Sequence, residues 1–146
     1  MKQTEVSRRY REVEIRGAGS VDCVIMMYDL AIADLRKALG CLSAGDIEGR
    51  TNALVHSLHV LEQLQGSLQM EAGGEAARQL YHFYSLARAK ILEGQLKCRA
   101  PLLQEILGAF QRVREMWLEV KRQSQPVLPP EPWAAQAENH AGAWSA

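Results

Sequence analysis

The chain has 146 residues, enough for one domain with a sizeable hydrophobic core. Its 17 lysine and arginine residues balance 17 aspartate and glutamate residues, so no net charge attracts nucleic acid or an anionic membrane. The longest apolar run falls short of the roughly 18 residues that a transmembrane helix requires, and the first residues lack the apolar centre of a secretory signal. We therefore expect a cytoplasmic protein with no nucleic-acid partner and no membrane insertion.

The first predicted helix runs from about Ser20 to Ser43 and is more apolar than an ordinary amphipathic helix. Its apolar residues recur at spacings of three and four: Val21, Val24, Ile25, Tyr28, Ile32, Leu35, Leu39 and Leu42. Met26, Met27 and Leu30 widen this stripe beyond the roughly 100° of arc that packs on one neighbour. The extra width indicates either a buried centre or a groove for a partner, and the pattern alone leaves both interpretations open.

The second predicted helix begins after Ala44-Gly45, with Asp46 as its N-cap, and extends to about Gln69. Its apolar stripe consists of leucines: Leu54, Leu58, Leu61, Leu64 and Leu68. Gly66 lies inside this helix and costs it up to about 1 kcal/mol relative to alanine. The glycine therefore predicts that another group approaches the helix closely at that position.

Gly73-Gly74 separates the second helix from a third, predicted from about Glu75 to Gln95. Its core stripe is predicted to hold Ala76, Leu80, Phe83, Ala87 and Ile91. Tyr81 and Tyr84 lie outside this stripe, and we interpret them as adaptable contact residues, because tyrosine is amphipathic.

A fourth helix is predicted from Pro101 to about Arg122, with proline in its first turn. Its stripe is Leu102, Leu103, Ile106, Phe110, Val113, Trp117 and Val120. Because the three connections are short, consecutive helices should be antiparallel neighbours. The predicted fold is all-α: an antiparallel up-down-up-down four-helix bundle over residues 20–122.

The sequences on either side of the bundle differ from it in composition. Residues 1–19 form a separate N-terminal segment that ends in the flexible Gly17-Ala18-Gly19. Residues 123–146 are rich in proline and alanine and bury too little apolar area to offset the entropy of ordering, so we predict a disordered tail. Trp133 and Trp144 are its large anchors, and the sequence leaves open whether they dock on the bundle or a partner.

The chain offers little for catalysis or metal binding. A di-iron bundle would use Glu-x-x-His, but His59 and Glu62 occur in the reverse order. His56 and His59 share a helix face, and we interpret both as surface or groove-edge residues. Nothing in the sequence places a base beside a nucleophile such as Cys23. We therefore expect a non-enzymatic protein with no metal and no cofactor.

Seven pieces of the chain, in order, resemble the flagellin-specific export chaperones of bacteria, the FliS family. They are Tyr10-Arg11 to Ile15, Met27-Tyr28-Asp29 with Ala31-Ile32, Gly45 to Arg50, Leu61 to Leu68, Gly73 to Ala76, Leu80-Tyr81-x-x-Tyr84, and Glu105-Ile106-Leu107 with Arg114 to Trp117. Together they cover residues 10–122.

The resemblance implies a cytoplasmic chaperone that binds the disordered C-terminal segment of flagellin and delivers it to the flagellar export gate without ATP. It also implies that residues 1–19 act as a flap over the binding groove when cargo is absent. The flagellin-binding residues that it implies are Tyr10, Ile15, Met26, Met27, Tyr28, Leu30, Leu68, Tyr81 and Tyr84.

Two alternatives remain open on the sequence. The apolar surplus would also suit a structural or regulatory helical module that associates with itself, and we expect the chain to be a monomer or a weak homodimer. A weaker alternative is a metal-binding bundle that uses His56 and His59.

Overall fold

Four helices and no strands make up residues 20–124, which are the residues that the computed structural model describes. The helices are α1 (Ser20–Ala44), α2 (Ile47–Gly66), α3 (Met70–Lys97) and α4 (Ala100–Ser124). This confirms the all-α four-helix bundle. The predicted flap of residues 1–19 and the predicted tail, apart from residues 123 and 124 at the end of α4, lie outside the described residues.

Ion pairs and hydrogen bonds between helices show that neighbours in the bundle run antiparallel. Lys121 of α4 pairs with Asp22 of α1 at 2.7 Å, and about two turns further along, Arg114 pairs with Asp29 at 2.5 Å. The start of α1 therefore lies beside the end of α4. α1 packs against α2 and α4, and α3 completes the ring by packing against the same two helices.

Two tight turns form one end of the bundle, which we call the closed end (residues 41–50 and 94–103). Gly45 has φ 74° and Cys98 has φ 51°, so each helix before a turn ends in a left-handed residue. The predicted Asp46 cap is confirmed, because its carboxylate accepts a hydrogen bond from the Gly49 amide at 2.9 Å. A Cβ on Gly49 would lie 2.3 Å from an Asp46 carboxylate oxygen, so a larger residue there would displace the capping side chain.

The opposite end, which we call the open end (residues 20–28, 64–80 and 117–124), is built differently from the prediction. α2 ends at Gly66, three residues before the predicted Gln69, and α3 begins at Met70 rather than Glu75. Gly74 kinks α3 with φ 55° and ψ −132°, a conformation open to glycine. The predicted close approach at Gly66 is wrong: no atom lies within 4 Å of the place a Cβ would take.

The core runs along the bundle axis and is aromatic at its centre. Tyr28 and Tyr84 are 0% and 1% exposed, and their hydroxyls share a hydrogen bond of 2.8 Å. The Phe110 ring lies 5.2 Å from those of both Tyr28 and Phe83. The prediction that Tyr84 lies outside the core stripe is wrong, because α3 turns Ala77 and Tyr84 inward and leaves Ala76 exposed. A buried tyrosine is accommodated here because its hydroxyl has a partner.

Candidate apolar grooves at the open end

A groove of about 420 Å³ opens between the start of α1, the α2–α3 connection and the first turns of α3. We call it the first groove. Its lining is mostly apolar: Val21, Cys23, Val24, Met27, Leu64, Ser67, Leu68, Gln69, Ala72, Gly73, Ala76, Ala77, Leu80, Tyr84 and Trp117. Every helix contributes to it, so the groove depends on the whole bundle being assembled.

Small residues at the start of α3 explain why this groove is open. Ala72, Gly73 and Ala76 present little side-chain volume towards α1, while Gly74 displaces the first turn of α3 from the axis of the rest. Elsewhere in the bundle large side chains fill the corresponding space, as Leu103 does against Gly94. An apolar concavity with few polar groups is the usual form of a binding site.

The floor of the first groove is part of the buried core. Met27 and Tyr84 line it, yet each is 1% exposed. Burial raises the pKa of the Tyr84 hydroxyl, and the neighbouring Tyr28 raises it further. Burial likewise raises the pKa of Tyr28, partly offset by hydrogen bonds with Tyr84 and Trp117. Both hydroxyls therefore stay neutral at physiological pH, and the floor carries no charge.

A second groove of about 430 Å³ lies between the first half of α3 and the last turns of α4. Its lining is Ala76, Gln79, Leu80, Phe83, Val113, Met116, Trp117 and Val120, of which Gln79 alone is polar. Met116 is 66% exposed and Val120 is 44% exposed. The second groove shares Ala76, Leu80 and Trp117 with the first, so the two are separated by a single ridge.

The residues that the resemblance implied for flagellin binding fall into distinct places. Met27, Leu68 and Tyr84 come together in the first groove. Met26 and Leu30 are partly exposed on α1, Tyr81 is 46% exposed on α3, and none of these three lines either groove. Tyr28 is fully buried. Tyr10 and Ile15 lie outside the described residues.

Several residues of the predicted core stripes also line the grooves. Leu80, Phe83, Val113 and Trp117 pack against the core as their stripes predict, but each is only partly buried and also lines a groove. Val120 lines the second groove and is 44% exposed. The sequence signal that could have revealed these groove residues is the apolar stripe of α4. It continues to Val120, whose side chain faces α3 across the second groove.

The histidines and cysteines form no metal site in the described part of the chain. No three His, Cys, Asp or Glu side chains converge within residues 20–124. His56 was interpreted as a surface or groove-edge residue, but it is 8% exposed and its Nδ1 lies 2.5 Å from the Asp34 carboxylate. This correction follows from packing, since the pair joins α1 to α2 and satisfies two polar groups that the helices bury.

Comparison with known proteins identifies the family. Residues 2–124 match the family model described as flagellar protein FliS. The chain belongs to the FliS family. Over 110 residues it is 26% identical to the flagellar secretion chaperone FliS of Salmonella typhimurium, a match that covers 75% of this chain and 82% of the relative. The FliS match ends where α4 ends, so residues 125–146 lie beyond it. No helix within residues 20–124 has the length and apolarity to span a membrane.

Proposed function

We propose that this protein is a cytoplasmic export chaperone that binds the disordered C-terminal segment of flagellin in the first groove. Binding would keep flagellin from polymerising early and hold it ready for the flagellar type III export gate. The observation that carries the proposal is an open apolar groove in a member of a family whose relative is named a flagellar secretion chaperone. The role needs no catalysis, cofactor or ATP.

The chemistry of the first groove suits an amphipathic segment that folds on contact. The groove walls are aliphatic, with Val24, Leu68 and Leu80 partly exposed, and its floor is neutral. A segment that lays apolar side chains into this groove gains buried apolar area, which offsets the entropy lost on ordering. The floor residues Met27 and Tyr84 would support the cargo from below, while the partly exposed wall residues would contact it directly.

Residues 1–19 are attached in the right place to cover the groove. They join the bundle at Ser20, and the next residue, Val21, lines the first groove. A flap that carries Tyr10 and Ile15 would therefore need only the short Gly17-Ala18-Gly19 linker to reach it. In the proposed cycle, flagellin displaces this flap.

A matched pair of substitutions on α3 tests where cargo binds. Ala72 is exposed and lines the first groove, whereas Ala89 is exposed on the same helix outside both grooves. Ala72→Glu places a carboxylate in the groove, and Ala89→Glu adds the same charge elsewhere. Calorimetry with a flagellin C-terminal peptide should show binding with a negative heat-capacity change. We expect Ala72→Glu to weaken binding at least about tenfold, equivalent to about 1.4 kcal/mol, and Ala89→Glu to leave it unchanged.

The possible outcomes test separately which cargo the chain binds and where on the bundle the cargo binds. No binding of the peptide to the native chain at up to about millimolar concentration would refute the proposed cargo. Binding that is equally tight in the native chain and in Ala72→Glu would keep the cargo and reject the first groove. Light scattering over a range of concentrations tests the alternative of a self-associating module: a stable dimer that excludes the peptide would favour that alternative.

A further inference from the structure

The second groove exposes more apolar surface than the fold requires. Met116 and Val120 lie on its outer wall, and Phe83 and Trp117 give it an aromatic floor. A concentrated apolar surface of this kind on a single chain usually marks a binding site. None of its lining residues belongs to the flagellin-binding set that the resemblance implies, and it shares only Ala76, Leu80 and Trp117 with the first groove.

The chain itself supplies a segment with matching chemistry. Residues 125–146 contain no lysine or arginine, and they place Trp133 directly after a run with prolines at 126, 129, 130 and 132. Proline-rich segments favour the extended polyproline II conformation, which loses little entropy on binding, and they dock on grooves lined with aromatic side chains. Trp133 provides one large side chain for such a groove.

The attachment point of this segment lies at the second groove. α4 ends at Ser124, one turn after Val120, and the groove follows α4 back as far as Val113. That distance is about 16 Å at 1.5 Å per helical residue. The nine residues from Ser124 to Trp133 reach about 28 Å when extended at 3.1 Å per residue, which leaves enough chain for the reversal of direction.

We propose that residues 125–146 turn back along α4 and that the Trp133 side chain occupies the second groove of the same chain. Two observations favour this occupant over residues 1–19. The N-terminal segment joins the bundle beside Val21, which lines the first groove and not the second. The second groove also adjoins the part of the chain that lies beyond the FliS match, which ends at residue 124.

Covalent attachment strengthens this contact without requiring high intrinsic affinity. A short tether gives the Trp133 segment an effective concentration on the order of millimolar at the groove, so weak docking is sufficient to keep the groove covered. The tail thereby shields Met116 and Val120 from other chains. Because the two grooves share the Trp117 ridge, occupation of the second groove also supports one wall of the first.

Methionine methyl signals in the full-length chain test this proposal directly, whatever the cargo is. With all five methionines labelled for NMR, ring currents from a docked indole should move the Met116 methyl signal upfield. We expect Trp133→Ala to abolish that shift. Trp144→Ala is the matched control, because it removes the other tail tryptophan, and it should leave the Met116 signal in its native position. Both substituted residues lie beyond Ser124, where α4 ends, so neither replaces a residue of the four helices and both variants should fold.

The remaining outcomes would each overturn the proposal. An identical Met116 signal in the native chain and in Trp133→Ala would show that the groove does not hold Trp133. A shift lost in Ile15→Ala and kept in Trp133→Ala would assign the groove to residues 1–19. Magnetisation transfer from Trp133 to Met116 that occurs between differently labelled chains and not within one chain would assign it to a second copy.

Discussion

The closed and open ends of this bundle are formed by the same four helices but differ in how those helices are joined. At the closed end, connections of two residues hold the helices together, and Arg50, Thr51 and Gln95 form a partly buried hydrogen-bonded network between α2 and α3. At the open end, a longer connection and a kink at Gly74 leave two apolar grooves. We therefore propose that binding takes place at the open end, while the closed end contributes more to stability.

Leucine truncations should give the largest contrast between the ends. Leu103 is fully buried against Gly94 at the closed end, so Leu103→Ala should lower the free energy of unfolding by about 2–5 kcal/mol. Leu68 is partly exposed in the first groove, and Leu68→Ala should cost about 1 kcal/mol or less. Urea denaturation measures both. Peptide affinity should show the opposite order, with Leu68→Ala the weaker binder. Equal losses of stability would contradict the contrast.

Alkaline pH tests whether the packed core extends to the floor of the first groove. Burial raises the pKa of Tyr28 and Tyr84 above the ordinary value of about 10. Above about pH 10 the unfolded chain loses these protons while the folded chain keeps them. Stability should therefore be complete below pH 10 and fall as pH rises further, by up to about 1.4 kcal/mol per pH unit for each tyrosine. Denaturation of the Tyr28→Phe/Tyr84→Phe double variant should show a flatter dependence, and an equal slope in both proteins would refute the assignment.

The polar network at the closed end should also contribute to the free energy of unfolding. Gln95 accepts a hydrogen bond from Arg50 Nε at 2.9 Å and donates one to Thr51 at 2.7 Å. Gln95→Ala leaves the buried Arg50 without this acceptor, so we expect a loss of about 1–3 kcal/mol by thermal or urea unfolding. The control is Gln123→Ala, which changes an exposed glutamine at the open end and should stay within about 0.5 kcal/mol of the native chain.

Substitutions of two glycines at the open end should change stability in opposite directions, and Gly66→Ala should give the smallest change. Gly66 ends α2 with free space around it, so Gly66→Ala should stabilise the chain by about 0.5–1 kcal/mol. Gly74 has a backbone conformation that disfavours a Cβ, so Gly74→Ala should cost about 1–3 kcal/mol. Circular dichroism melts measure both. Destabilisation by Gly66→Ala would show that a neighbour contacts α2 there after all.

The helices could be predicted from the sequence because their signals are local. The Asp46 cap, Gly45 and the period of apolar residues all act within a few positions, and the structure confirms them. The open end could not be derived in this way. Gly73 and Gly74 predict a break between two helices. In the structure α3 already begins at Met70, before both glycines, and is kinked at Gly74.

The grooves required information about packing between helices. Periodicity identifies the apolar face of a helix, but it does not show how far the neighbouring helix covers that face. For this reason Tyr84, which was predicted to lie outside the core stripe, is buried. Trp117 packs against the core as predicted but also lines the second groove, and Val120 is 44% exposed there. The resemblance to the FliS family implies a groove, but the position of that groove depends on how α3 is rotated about its own axis.

Hydrogen exchange of the full-length chain with and without a flagellin C-terminal peptide tests most directly whether cargo binds at the open end. We expect the peptide to slow exchange in residues 67–80 and in the first turns of α1. Exchange at the closed-end turns, residues 45–49 and 98–103, should not change. Protection confined to the closed end, or an unchanged open end in the saturated complex, would contradict the division of stability and binding between the two ends.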